Sequence, residues 1–143
     1  MRLSIRVRSE LVRQGLEDLG KEVPNVGRRR LRTILERAKR IMEEYPAERP
    51  GQKYKRTGRF FRGWRIEQIS GSKGYTLKNV AMFRGNAYPQ YVVGDAYGTS
   101  QAWMHKGRWP NFRDVTEKEL EALPEELGDE IVMVARRIGF EAE

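Results

Sequence analysis

Apolar residues fall into helical stripes at both ends of the chain and into short alternating runs between them. Residues 2–7 alternate, with Leu3, Ile5 and Val7 on one side and Arg2, Ser4 and Arg6 on the other, which predicts a half-buried strand. Ser9 is placed as an N-cap, and Val12, Leu16, Leu19 and Val23 then recur at three and four along a narrow helical face. Pro24-Asn25 ends that helix or resets its axis. A second, longer helix is predicted over residues 26–45, striped by Leu31, Ile34, Leu35, Ala38, Ile41, Met42 and Tyr45 and about 30 Å long. Its charges oppose the helix dipole: Arg28, Arg29, Arg30 and Arg32 crowd its amino end, and Glu43 and Glu44 sit at its carboxyl end.

Residues 46–53, rich in proline and charge, read as an exposed loop. The stretch 54–64, YKRTGRFFRGW, is the entry into a β portion: Thr57-Gly58 signals a turn, and Phe60, Phe61 and Trp64 supply apolar area. With residues 60–69 as a strand, Phe60, Arg62, Trp64 and Ile66 share a face, and a buried Arg62 would need a partner or a route to water. Residues 64–69 and 75–82 alternate around the glycine-rich turn 70–74, an antiparallel hairpin. A turn at Arg84-Gly85-Asn86 leads to residues 88–93, whose last residues form a further strand. The passage 94–113 reads as a long loop pinned by aromatic contacts, and Thr116 and Glu119 have the spacing of a capping box. Residues 124–138 form a closing helix, with Pro124 in its first turn, Leu127, Ile131, Val134, Ala135 and Ile138 as its stripe, and Gly139 as its stop.

These elements predict one α+β domain over residues 1–143, an antiparallel sheet of about four strands packed against the long amphipathic helix and the C-terminal helix. The expected core includes Leu31, Ile34, Leu35, Ala38, Ile41, Phe60, Trp64, Ile131 and Ala135, and the expected exposed loops are 46–53 and 94–113.

Composition sharpens this picture mainly through charge. Residues 1–80 carry 21 Lys/Arg against 9 Asp/Glu, net +12, and residues 81–143 carry 7 against 11, net −4. Two explanations fit: nucleic acid along the basic half, or the basic half of one subunit meeting the acidic half of the next. On the first, Arg28, Arg29, Arg32, Lys55 and Arg62 are the candidate DNA-facing residues, contacting phosphate without base selection. No segment reads as a signal peptide or membrane span.

Catalytic chemistry finds little to stand on. The best set is His105 with Asp95 or Asp114 and a serine such as Ser100, and no nucleophile-elbow pattern accompanies it. The chain has no cysteine and one histidine, so neither a thiolate nor a multi-histidine metal centre is expected. The reading is of a protein that is not an enzyme, with no catalytic residue, metal or cofactor.

Arg56-Thr57-Gly58-Arg59-Phe60 after a long helix, leading to Trp64-Arg65-Ile66, then Tyr88-Pro89-Gln90-Tyr91-Val92 with Gly94 and Gly98-Thr99, and a closing helix, is an order that resembles the tail-completion or head–tail joining (neck) proteins of tailed bacteriophages. The resemblance runs over residues 8–138. It implies a nonenzymatic subunit of a homomeric ring, hexameric by preference with a dodecamer as the alternative, between the portal assembly and the tail tube. The expected partners are portal or head–tail adaptor proteins, tail tube or tail terminator proteins, and phage DNA contacted nonspecifically. Its place would be the virion neck or tail, and the host cytoplasm during assembly. The residues given to the assembly interface are Arg56, Thr57, Arg59, Tyr88, Tyr91, His105 and Trp109. The alternative is a small basic nucleic-acid-binding protein acting through phosphate contacts.

Overall fold

The computed structural model describes residues 9–53, 56–71 and 74–138. The strand expected at residues 2–7, Lys55 and the stop at Gly139 lie outside the described residues. The fold is α+β, with a long N-terminal helix, two small antiparallel sheets and a C-terminal helix pair.

The first helix, α1, runs unbroken over Ser9–Glu43 with Pro24 inside it, where a break into two helices was expected. Proline removes one intrahelical bond, but packing on both sides of it holds the helix together. Val26 is fully buried two residues beyond Pro24, and Glu22, two residues before it, pairs with Arg137 at 3.7 Å. Because the helix starts at Ser9, Arg28 to Arg32 stand in its middle and their expected conflict with the dipole does not arise, whereas Glu43 remains the last residue of the helix, as expected, where it pairs with Lys39 at 3.3 Å.

The C-terminal helices, α4 (Phe112–Glu121) and α5 (Leu123–Arg137), follow one another along α1 in the opposite direction. Ion pairs set the alignment. Arg37 donates to Glu119 at 2.9 Å and to Glu126 at 2.7 Å, Arg29 to Glu130 at 2.9 Å, and Arg30 to the second oxygen of Glu130. The Arg29 and Arg30 hydrogen bonds hold the Glu130 carboxyl below the usual carboxylate range against the opposing effect of burial. Pro124 falls in the first turn of α5, as expected. The expected capping box is not formed: Thr116 lies inside α4 and donates to Phe112 O and Arg113 O, and the N-cap is Asn111, whose side chain accepts from the Arg113 amide.

Between these helices lie two separate two-stranded sheets where a single four-stranded one was expected. The first pairs β1 (Trp64–Gln68) with β2 (Tyr75–Asn79), Trp64 opposite Asn79 and Ile66 opposite Leu77. Its inner face carries Trp64, Ile66 and Leu77 against α1, and its outer face carries the Glu67–Lys78 ion pair at 2.6 Å. Asn79 then diverts the chain: its amide donates to Phe60 O at 2.8 Å and its oxygen accepts from the Ala81 amide at 2.9 Å. The strand expected to run to residue 82 therefore ends at Asn79. Strands β3 (Met82–Phe83) and β4 (Asn86–Ala87) make a minimal hairpin of their own, with Arg84 and Gly85 both at positive φ in the turn.

Two further expectations are corrected. Phe60 belongs to a short helical turn, α2 (Arg59–Arg62), and not to a strand. Arg62 is exposed and donates to Thr57 O at 3.1 Å, so the burial problem raised for it disappears. The segment expected to end in a strand is a helix, α3 (Pro89–Val93), started by proline at its first turn and ended at Gly94 with φ 83°. A run of five residues has too few turns for periodicity to separate the two states.

The core gathers Leu35, Ala38, Met42, Phe60, Trp64, Leu77 and Val93, and Ile34 and Val26 are buried further back along α1. Leu31, Ile131 and Ala135 are half-buried, whereas Ile41 stands at the edge of its stripe and is exposed. The residue between α2 and β1 must be glycine. A Cβ on Gly63 would lie 2.2 Å from Asn79 Oδ1 and 3.0 Å from the Ala81 amide nitrogen. Gly63→Ala is expected to cost about 1–3 kcal/mol through this overpacking, read as a lowered midpoint in urea, whereas Gly71→Ala, whose Cβ would meet nothing within 4 Å, bears only its backbone strain.

Candidate functional site

Five aromatic rings link the segments that follow α1 to the start of α4. Phe60 stands edge-on to Trp64 at 5.7 Å and to Trp109 at 5.2 Å between ring centroids, Tyr45 stands edge-on to Trp109 at 5.3 Å, and Phe112 stacks on Trp64 at 5.8 Å. On the Tyr45 side this wall opens into a cleft of about 460 Å³. Tyr45, Phe60, Tyr88, Val92, Met104 and Trp109 supply its apolar surface, and Arg49, Arg56, Arg108, Gln52, Thr57 and His105 its polar groups. No carboxylate lines it.

Guanidinium groups from two other segments fix the loop that follows α1. Arg56 lies over the Tyr45 ring at 4.9 Å and donates to Pro46 O, and Arg108 donates to Ala47 O at 2.7 Å. The Tyr45 hydroxyl in turn accepts from the Phe61 amide at 3.3 Å. Arg49, exposed on the same loop, has no carboxylate partner among the described residues.

The opposite wall is built by the segment between α3 and α4. Gln101, buried, donates to Val92 O at 2.9 Å and Trp109 O at 3.2 Å, and the Ala102 amide donates to Tyr91 O at 2.8 Å. Asp95 closes a tight loop by accepting from the Tyr97 and Thr99 amides, each at 3.0 Å, and from the hydroxyls of Thr99 and Ser100. The Ser100 hydroxyl leads these bonds in holding the Asp95 carboxyl far below the usual range. The passage expected to be an aromatic-pinned loop is thus pinned by buried amides as much as by rings.

Of the residues given to an assembly interface, Arg56, Thr57, Tyr88, His105 and Trp109 line this one cleft. Arg59 is exposed on α2 and Tyr91 is exposed on α3, both outside the lining. The candidate DNA-facing residues are scattered. Arg29 pairs with Glu130, Arg32 with Glu36 at 3.1 Å, Arg28 is half-buried with its Nε unpartnered among the described residues, and Arg62 lies on α2. Asp95 and Ser100 are brought together, but no hydrogen bond joins His105 to Asp95, Asp114 or Ser100 among the described residues. Among the described residues no group of His, Asp and Glu has the arrangement of a metal site, and no helix is long and apolar enough to cross a membrane.

Residue-type reasoning missed Gln101, Asn111, Asn79 and Arg49. A glutamine whose amide bridges two backbone carbonyls leaves no periodic trace; Asn111 carried a signal, since asparagine before an apolar helical run is a strong N-cap.

No protein family model, no curated protein and no solved structure matches the chain.

His105 gives the cleft a pH dependence. Burial lowers its pKa from the ordinary value, and the cations Arg108 and Arg49 lower it further. Its Nδ1 is buried without a hydrogen-bond partner among the described residues, and Trp109 stands edge-on to its ring at 6.2 Å. The unfolded chain therefore takes up the proton first, so stability is full above about pH 6.5 and falls as the pH drops below that value. His105→Gln is expected to flatten thermal stability between about pH 7 and pH 5 relative to the parent chain.

Proposed function

We propose that this protein is a nonenzymatic structural subunit of a tailed-phage or prophage neck, forming a homomeric ring around the DNA channel between portal assembly and tail tube. Six copies is the preferred number and twelve the alternative. What supports the reading most is the convergence of Arg56, Thr57, Tyr88, His105 and Trp109 on one cleft. These residues come from three segments of the chain, and Arg56, Thr57 and Tyr88 belong to the motifs that carry the resemblance.

The surface beside the cleft has the character of a contact face. Trp103 is 81% exposed and Tyr97 78% exposed, on a loop that Asp95, Gln101 and Asn111 hold fixed, and Tyr91 and Met104 are exposed near them. A monomer that leaves two large aromatic side chains in water on a rigid loop is suited to burying them against another protein. The ring reading makes one neighbour a second copy and the others the portal-side and tail-side components of the neck. The nucleic-acid alternative draws less support, because Arg29, Arg30 and Arg37 are already paired with glutamates of α4 and α5. Arginines facing the channel would meet DNA through phosphate attraction alone.

Light scattering tests the proposal on purified chain, alone and mixed with its portal-side and tail-side partners. The expected mass is six or twelve times 16.7 kDa, reached at the latest when the partners are present. A chain that stays monomeric with every partner present contradicts it. Arg59→Ala and Tyr91→Ala together are expected to change the unfolding free energy by no more than about 0.5 kcal/mol while reducing the assembled fraction.

A further inference from the structure

The cleft has a definite chemical preference. Its lining is largely aromatic and aliphatic, Arg49, Arg56, Arg108 and His105 are among its polar groups, and no carboxylate lines it, although Glu48, outside the lining, pairs with Arg56 at 3.9 Å. A fitting occupant therefore presents an aromatic or aliphatic side chain to the apolar lining and carboxylates to the cations. The chain holds such a segment: Phe140, Glu141, Ala142 and Glu143 place an aromatic ring next to two acidic residues spaced two apart. In extended backbone those two carboxylates stand on one side.

Geometry decides which copy supplies that segment. Arg137, at the end of α5, is 3.7 Å from Glu22, whereas the cleft lies by Tyr45, just beyond the other end of α1. The intervening turns of α1 separate the two levels by about 30 Å. Residues 139–143, fully extended, span at most about 18 Å. A copy cannot place Phe140 in its own cleft, but a neighbour can.

We infer that the Phe140–Glu143 segment of one copy docks in the arginine-lined aromatic cleft of the next. The inference rests on the ring reading and supplies its contact. Phe140 enters between Tyr45, Tyr88 and Trp109, and Glu141 and Glu143 meet Arg49 and Arg108. The donor surface and the acceptor surface lie at opposite ends of the molecule, so the contact is head-to-tail and repeats from copy to copy. A head-to-tail contact is one that closes into a ring when its rotation divides the circle. Arg49 is the cation best placed to answer an incoming carboxylate, because Arg56 and Arg108 already hold loop carbonyls. The docked contact also covers His105, beside which a carboxylate would stabilise the protonated ring, so binding should strengthen as the pH falls toward 6.

The test uses an amidated peptide of residues 136–143 and the full-length chain carrying Phe140→Ala, Glu141→Gln and Glu143→Gln, which removes the competing native segment. Peptide binding is followed by tryptophan fluorescence. Saturable binding is expected, weakened about tenfold by Arg49→Glu and about tenfold by replacing phenylalanine with alanine in the peptide, and weakened again at high salt. The circular dichroism of each variant guards against loss of fold. In parallel, light scattering of the triple variant with its neck partners should show less assembled material than the parent chain. Absence of saturable peptide binding, or binding indifferent to both Arg49 and the phenylalanine, overturns the inference. The ring reading is judged separately: rings that form normally from the triple variant overturn the docking contact and leave the ring intact, whereas peptide binding with head-to-tail association that never closes into a ring of six or twelve supports the contact and defeats the ring.

Discussion

The structure depends on an alignment of opposite charges within one chain. Arg29, Arg30 and Arg37 on α1 face Glu119, Glu126 and Glu130 on α4 and α5, and Glu22 and Arg137 close the series with the signs reversed. Apolar burial supplies most of the energy that packs two amphipathic helices together, but it specifies register weakly. A guanidinium that reaches carboxylates on two successive helices, as Arg37 does, specifies it well. Part of the charge segregation that suggests a nucleic-acid partner or a second subunit is satisfied within one chain, through Arg29, Arg30 and Arg37.

That alignment also sets up the cleft. Docking α4 antiparallel to α1 brings Phe112 and Trp109 to the Tyr45 end, where they meet Phe60 and Trp64 from the segment after the loop. Arg49 and Arg108, which line the cleft, are among the cations that no glutamate of α4 or α5 reaches. Core and cleft thus share residues: Phe60 is 4% exposed and belongs to the core, yet it lines the cleft. Arg56 is likewise part of the scaffold, through its stacking on Tyr45 and its bond to Pro46 O, where it was expected to serve assembly alone.

The helical part of the fold was legible because helical stripes repeat over many turns. Ile34, Leu35, Ala38 and Met42 are buried as their spacing requires, and Phe60 and Trp64 are buried as expected, whereas Phe61, which adjoins Phe60, is exposed. The first hairpin was legible from its alternation, although its second strand ends three residues early. The remaining errors share a physical origin in tertiary context. Pro24 looks like a break until α5 is laid beside it, residues 88–93 look like a strand until Pro89 is seen opening a helical turn, and one sheet looks sufficient until Asn79 turns the chain aside. For the site, charged and aromatic residues flagged the right segments, while the amides that hold those segments were silent because a single Gln or Asn carries no pattern.

The most direct measurement of the central claim is a double-mutant cycle on Arg30 and Glu130, using Arg30→Met and Glu130→Gln and reading stability by urea unfolding at low and high salt. The side chains are 33% and 17% exposed, so screening by solvent keeps the coupling modest. The account predicts a favourable coupling of about 1 kcal/mol at low salt that shrinks at high salt, together with loss of amide-exchange protection concentrated in α5. Additive effects of the two substitutions, with α5 as protected in the double variant as in the parent, would contradict it.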